Sequence, residues 1–430
     1  MNGPQDAILA VNAGSSSLKF ALYPQLENGL GAAHLSGSVE GLEPGGTPRI
    51  SVRSASACVQ RALAPGDPAP ADPAPGDPAP GDPAPGDPFA IALAALGDVL
   101  GDHADTLRIV AIAHRIVHGG PRYAASVLLD DAALDYLSSL SALAPLHQPH
   151  NLAGVQACRR AYPGLPQVGC FDTAFHATLP ILEQLFALPQ ALHASGIRRY
   201  GFHGLSYRYV LGRLAENAPL VDKKVLLAHL GNGASACAVS GGKSIATSMG
   251  FSALDGLVMG SRSGSVDPGV LLHLMRQGWS GEKIEHTLYF ESGLLGVSGI
   301  SADMRTLRAS EHPDAALAIA LFVHRLAREC GTLTACLGGL DLLAFTGGIG
   351  EHDHALRRDA CARLSYLGVR LDPQRNLAAS GSAIVPIHVQ GSAVEVWVVP
   401  TDEGRIAAAD AAQICRLAAG RASEAPAARG

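Results

Sequence analysis

No stretch of about 18 consecutive apolar residues occurs in the chain, so no segment reads as a membrane-crossing helix. Basic residues are outnumbered, 32 Lys and Arg against 38 Asp and Glu. The resulting formal charge of −6 lacks the basic footprint of a nucleic-acid binder. The eight cysteines are scattered singly with no C-x-x-C pair, which fits reduced thiols. The first residues show no basic segment followed by an apolar one, which makes a cytoplasmic location the expectation. A Walker A loop, G-x-x-x-x-G-K-[ST], is also missing. What is present is a globular composition. Of 430 residues 47% are hydrophobic and 16% charged, and mean hydropathy is +0.18. That length is more than one ordinary core supports, so two domains are expected.

One segment stands apart. From Pro65 to Pro88 the chain repeats GDPAP, once as ADPAP, and ten of its 28 prolines lie there. Proline fixes φ and removes a donor, so the segment can join neither helix nor sheet. It reads as a disordered, solvated surface insertion over 65–88. The last residues, 421–430, rich in Ala, Glu and Pro, read as a flexible tail.

Residues 8–19, ILAVNAGSSSLK, run from an apolar stretch into Asn12, Gly14 and three serines before Lys19. The following LKFALY alternates, with Leu18, Phe20 and Leu22 on one face, which is strand periodicity. Residues 7–23 therefore read as strand, tight turn, strand. Backbone N–H groups and the hydroxyls of Ser15 and Ser17 at such a turn can hold phosphate oxygens. On this stretch alone an ordinary Ser/Gly hairpin fits equally well. The pattern recurs in KVLLAHLGNGASACAV, with Gly231, Asn232 and Gly233 at the turn, followed by SGGK and the strand SIATSM. A third glycine cluster, LLAFTGGIGEH, leads from a strand into the amphipathic HALRRDACARL. That junction suits plain helix-on-strand packing or a platform for a nucleotide.

Further strings carry polar groups. AHRIVHGG sets His114, Arg115 and His118 just after the strand RIVAIA. LAPLHQPHN holds His147 and His150. FDTAFH puts Asp172 at a strand end, RRYGFHG places His203 in a glycine-framed turn before a helix, and MGSRSGSVDPG sets Arg262 in a loop before another helix. A zinc reading of His114-x3-His118 or His147-x2-His150 lacks a third ligand.

These strings, in this order and with PTDE near the C-terminus, resemble the acetate kinase (acetokinase) family, within the actin-like superfamily of sugar kinases and heat-shock chaperones. The resemblance spans about residues 7–415 apart from the GDPAP insertion. It implies an α/β fold of two actin-like (ribonuclease H-like) domains with the nucleotide cleft between them. The first is expected over 1–172, taking back a C-terminal helix at 404–420, and the second over 173–403. It implies Mg²⁺-dependent phosphoryl transfer between ATP and acetate, giving ADP and acetyl phosphate by direct in-line transfer. A homodimer and replacement of Mg²⁺ by Mn²⁺ are implied as well, with neither nucleic acid nor membrane as partner. The chemistry is coherent by itself. A carboxylate acceptor is ionised at pH 7 and needs no general base; it needs charge management by arginines, a metal and hydrogen-bond donors.

By the same resemblance Arg115 and Arg262 bind the carboxylate and stabilise the transferring group, with Asp172 as a further catalytic residue that orients an arginine or the metal. His203, with His147 and His229, donates to phosphoryl oxygens. Lys19, Ser15, Ser17, His229, Leu230 and Gly231 to Gly233 line the phosphate path. Gly348, Ile349, Gly350 and Glu351 hold the adenosine end. Asn12 and Glu403 are the metal site, mainly through water. Val117, Leu146 and Phe202 receive the acyl methyl, although each suits a plain core position. Three departures stand out: Ala253 where the acyl pocket usually has proline, His352 where asparagine is usual, and Gly404 where a second acidic residue is usual. The first leaves room for propionate, so a propionate or other short-chain acyl kinase is the alternative. A nucleotide-binding regulator on the same scaffold is the non-enzyme alternative. It would be expected to have lost Arg115, Arg262, His203 or Glu403, and all four are present.

Overall fold

The computed structural model describes residues 3–14, 16–43, 46–54, 57–63, 88–145, 147–217 and 219–424. The expected insertion therefore lies outside the described residues up to position 87, as do Ser15, Leu146 and the tail from 425. The chain divides into two compact units, Met1–Ala174 with Glu403–Gly430, and Phe175–Asp402.

The first unit is built on one sheet. Its strands are β1 (Gln5–Ala13), β2 (Ser17–Leu26), β3 (Gly29–Leu30), β4 (Leu35–Glu40), β5 (Arg49–Ser54), β6 (Cys58–Ala62), β7 (Leu107–Ile116), β8 (Val127–Leu128) and β9 (Gln167–Phe171). They lie in the order β6-β5-β4-β2-β1-β7-β9-β8, with β3 paired to β2. β1 runs antiparallel to β2 and parallel to β7, and β7 runs parallel to β9. The alternation in LKFALY decides the facing: Leu18, Phe20 and Leu22 are buried and Lys19 is exposed. Their core also takes Phe89, Leu93 and Leu96 from the helix Pro88–Gly101. The C-terminal helix Glu403–Glu424 packs across β7, β1 and β9, burying Ala407, Ala408, Ala411 and Ala412.

The second unit repeats the plan. Strands β10 (Lys224–Leu230), β11 (Ala234–Ser240), β12 (Lys243–Thr247), β13 (Leu342–Thr346), β14 (Val385–Pro386) and β15 (Glu395–Val398) lie in the order β12-β11-β10-β13-β15-β14. β10, β11 and β12 form an antiparallel meander, and β13 and β15 continue parallel to β10. The series β4-β2-β1-β7-β9 and β12-β11-β10-β13-β15 are thus the same arrangement twice. In open sheets of this kind, polar chemistry collects beyond the carboxyl ends of the parallel strands.

Four local expectations are corrected. The strand RIVAIA runs on to Ile116, so His114 and Arg115 stand on β7, because β9 continues its ladder through Arg115↔Cys170 and Ile116↔Phe171. GGIGEH forms a short helix, Gly347–His352, closed by the Glu351 carboxylate accepting from the Gly347 N–H at 2.9 Å. The last helix runs to Glu424, not 420, since alanine, arginine and glutamate sustain it. Pro88 opens a helix where the insertion was expected to continue, a position that needs no N–H.

The last point sets a test. If residues 65–87 are the solvated insertion expected from the sequence, deleting them behind a short glycine linker should leave the melting temperature and turnover nearly unchanged, because a change of loop length costs little. Extending the deletion through Phe89 removes a core side chain and should cost roughly 2–4 kcal/mol. Thermal unfolding of the two variants separates these outcomes; equal losses would assign a structural part to the repeat itself.

Candidate functional site

In the first unit the polar groups gather at the ends of β1, β7 and β9. The β7–β9 ladder brings Arg115 beside Asp172, whose own N–H donates to the Ile116 carbonyl at 3.1 Å. Arg115 donates through Nε to Asp172 Oδ1 at 3.0 Å and through Nη2 to Oδ2 at 2.6 Å. Asp172 is 1% exposed, and a buried carboxylate persists only when paired in this manner. Glu403, opening the C-terminal helix, sets Oε2 3.3 Å from Arg115 Nε. Burial alone would lower the affinity of Arg115 for its proton, but Asp172 and Glu403 outweigh it, so the guanidinium is held above its usual range. One cation between two carboxylates leaves a net negative charge. Arg405 anchors the same helix, donating to the Leu30 and Gly31 carbonyls at 2.9 and 2.8 Å.

Asn12 is half-buried on β1 opposite exposed Lys19, while Ser17 is half-buried at the start of β2. Val117 is buried just past β7, and half-buried His147 immediately precedes the helix Gln148–Ala161. His114 faces inward, 2.6 Å from Gln167 Oε1, and burial lowers its pKa to about 4 against that bond.

In the second unit His203 is the one non-glycine residue of positive φ among the described residues, at φ 60° and ψ 21°. That left-handed conformation is uncommon for a side-chain-bearing residue and points to a functional constraint. Its Nδ1 is hydrogen-bonded to Ser235 Oγ at 2.8 Å, and Ser235 in turn meets the Tyr207 hydroxyl. The His229 ring stacks on it with centroids 4.3 Å apart, and His229 Nδ1 is tied to Ser206 Oγ at 2.8 Å. Ser206 continues to Thr401 Oγ1 at 2.8 Å. Both imidazoles are thus gripped at Nδ1. The turn after β10 closes on them: a Cβ added at Gly233 would stand 3.5 Å from His203 Nε2 and 3.8 Å from Arg262 Nη1. Arg262 Nη1 donates to the Ala253 carbonyl at 3.1 Å, so the residue at the expected acyl-pocket departure also aims this arginine. Phe202 is buried beside His203.

A cavity of about 1020 Å³ lies within the second unit, lined by Gly231, Asn232, Gly348, Ile349, Arg305 and His352 among others. Gly350 and Glu351 continue the short helix at its wall, and Leu230 ends β10 beneath the turn. The Glu351 carboxylate accepts from the Gly347 and Thr401 N–H groups at 2.9 and 3.1 Å, so its service to this wall is to hold the turn. Arg357, fully buried, donates to the carbonyls of Gly350, Glu351, Asn376 and Ala379 and to Asn376 Oδ1, all at 2.7–3.0 Å. It locks the cavity wall to the helix Pro373–Ala378.

Several of these residues escaped the sequence reading: Ser206, Ser235, Thr401, Arg357 and the Asp303–Arg305 edge of the cavity. Only the last carried a signal, the S-x-D helix-cap pattern in SADMR, where Asp303 accepts from the Arg305 N–H.

Comparison with known proteins follows the same line. Residues 86–409 match the Acetokinase family. An acetate kinase of Rhodopseudomonas palustris is 45% identical over 403 residues, covering 93% of this chain and 96% of the relative. A propionate kinase structure from Francisella tularensis superposes with TM-score 0.83 at 35% identity, covering 95% of this chain and all of the other (100%). The Porphyromonas gingivalis acetate kinase structure gives 0.81 at 34% identity, with coverage of 95% and 100%.

A stability test arises from two of the buried imidazoles, those of His114 and His176. His176 bonds Ser244 Oγ at 2.8 Å and the Phe202 carbonyl at 2.9 Å, and burial lowers its pKa to about 4 against the latter bond, with Arg199 adding to the fall. His114 and His176 therefore stay neutral in the folded chain while an unfolded chain takes up protons below about pH 6.5. Stability should be full above pH 6.5 and should fall by about 2–3 kcal/mol per histidine on reaching pH 4.5. Urea unfolding at the two pH values, with His176→Asn losing its share of the decline, checks this; an identical pH slope in the variant would contradict it.

Proposed function

The chain belongs to the acetokinase family, and on that premise we propose that it transfers the γ-phosphoryl group of ATP reversibly to acetate, giving acetyl phosphate and ADP. The fold is the two-sheet, actin-like α/β fold of acetate kinases. The observation that carries the reading is the Arg115–Asp172 pair. An aspartate serving as base toward a hydroxyl needs a carboxylate open to its proton; this one is buried and engaged by Arg115 at both oxygens. A carboxylate acceptor asks for no proton transfer.

The proposed division of labour is the one the family resemblance implies. Arg115 and Arg262 bind the acyl carboxylate and offset charge on the phosphoryl group as it moves in line between donor and acceptor. Asp172 orients Arg115. His203, gripped at Nδ1, donates to an equatorial phosphoryl oxygen, with His229 and His147 as further phosphate donors. Lys19, Ser17 and the N–H groups of the Gly231–Gly233 turn hold the remaining phosphate oxygens. The cavity beside Gly348, Ile349 and Gly350 takes the nucleoside. Val117 and Phe202 receive the acyl methyl. A hard divalent cation suits the amide oxygen of Asn12 and the carboxylate of Glu403, where the Arg115 cluster carries excess negative charge; Mg²⁺ held there largely through water would neutralise phosphate oxygens.

A second copy of the chain is the proposed partner. The helix Pro268–Arg276 buries none of its side chains, and Leu272, Met275 and Phe290 are 46–57% exposed. Such an apolar face suits a homodimer. We place the enzyme in the cytoplasm. Propionate is the second reading, favoured by Ala253, whose side chain fills less space than proline.

Trapping acyl phosphate with hydroxylamine, using ATP, Mg²⁺ and one- to four-carbon acids, tests the reading: acetate should give the highest kcat/KM, and no product with any acid would end it. Arg262→Ala should lower kcat by about 10³- to 10⁵-fold, the range for removing an arginine from phosphoryl transfer. Arg262→Lys should recover part of this, since a point charge lacks the planar fork. Full recovery by lysine would show that Arg262 acts as a point charge only.

A further inference from the structure

The parallel ladder between β1 and β7 ends at Val11↔His114. Beyond that pair the strands separate, β1 into the serine turn and β7 toward Val117. The side chain of Asn151 spans the gap. Asn151, 4% exposed on the first turn of the helix Gln148–Ala161, donates from Nδ2 to the Ala13 carbonyl at 2.5 Å. Its Oδ1 accepts from the Val117 N–H at 2.9 Å. The amide thus supplies an extra rung where the backbone no longer can.

Its surroundings hold it there. Gln148, fully buried, matches the backbone of His118 from both sides: Oε1 accepts from its N–H at 3.2 Å and Nε2 donates to its carbonyl at 3.0 Å. The helix is seated against β1 so closely that a Cβ at Gly154 would lie 2.5 Å from Ala13 Cβ. Ala13 directly follows Asn12, and Val117 lies two residues past Arg115.

We propose that Asn151 is a positioning residue that fixes the end of β1, which carries Asn12, relative to the end of β7, which carries Arg115 and leads into Val117. The roles given to those residues rest on the function proposed above; the linkage between the two segments does not. Losing the rung frees both segments at once, and displacements of about 1 Å at a reacting site reduce rates by up to about 10²-fold.

Asn151→Asp and Asn151→Ser test this. Aspartate retains the acceptor for Val117 but presents no donor to Ala13; serine is too short to reach both. Hydrogen exchange reads the linkage without reference to activity. The peptides containing Ala13 and Val117 should lose protection together, while those of the second unit stay unchanged. In acyl phosphate formation, kcat should fall about 10- to 100-fold and half-saturating Mg²⁺ and acetate should rise. Adenosine affinity measured by calorimetry should stay within about twofold, since the nucleoside cavity lies in the other unit. Unchanged exchange, loosening of the Val117 peptide alone, matching losses of adenosine affinity, or failure of both variants to fold would overturn the proposal. A wild-type chain that forms no acyl phosphate would instead overturn the proposed function, and the exchange result would still decide the linkage.

Discussion

The bidentate bond between Arg115 and the buried Asp172 carboxylate organises the first unit. A carboxylate 1% exposed is tolerable only with a cation against it, and the β7–β9 ladder, pairing Arg115 with Cys170, brings Arg115 to it. That pairing aims the guanidinium, and Glu403 adds a second acceptor at 3.3 Å. Glu403 in turn depends on the C-terminal helix lying across β7, β1 and β9, held by Arg405 and by Ser126 donating to Asp410 at 2.5 Å. Residues more than two hundred positions apart are therefore tied to one ion pair. The fold of this unit and the electrostatics of its strand ends are the same problem, solved once.

The second unit uses the same strand plan with a different device. Its turn after β10 takes the place that the serine turn takes after β1, but the groups behind it are two stacked imidazoles gripped by serines. The left-handed backbone at His203 costs about 1–3 kcal/mol, and the bonds through Ser235 and Tyr207 offset it. Fixing Nδ1 of each ring settles which nitrogen remains for other work. Buried Arg357 then does for the short helix Gly347–His352 what Arg405 does for the C-terminal helix. A guanidinium with five N–H groups is suited to capping carbonyls that a turn of helix leaves open.

The fold was legible because its signals are local. Alternation in LKFALY gave a strand, and glycines between apolar runs gave turns. The whole set of motif strings gave the family. What stayed hidden depends on distance in the chain. Nothing in LHQPHN says that Asn151 reaches Ala13, 138 positions earlier. Thr401 meets Ser206 across 195 positions, and Glu351 holds the Thr401 N–H across 50. Pro88, the last residue of the proline-rich repeat, reads as part of that repeat until the helix Pro88–Gly101 and its core residues Phe89, Leu93 and Leu96 are seen. Polar residues of this kind carry no periodicity, so their partners become visible only once the sheets are assembled.

In the proposed reaction Arg115 and Arg262 manage charge and no protein group accepts a proton from the nucleophile. The most direct measurement is the solvent deuterium isotope effect on the phosphoryl-transfer step, read by rapid-quench single-turnover kinetics with ATP and acetate on the full chain. A carboxylate nucleophile with no proton in flight predicts an effect close to 1. A normal effect of about 2 or more, with a proton inventory showing one proton moving in the transition state, would contradict it.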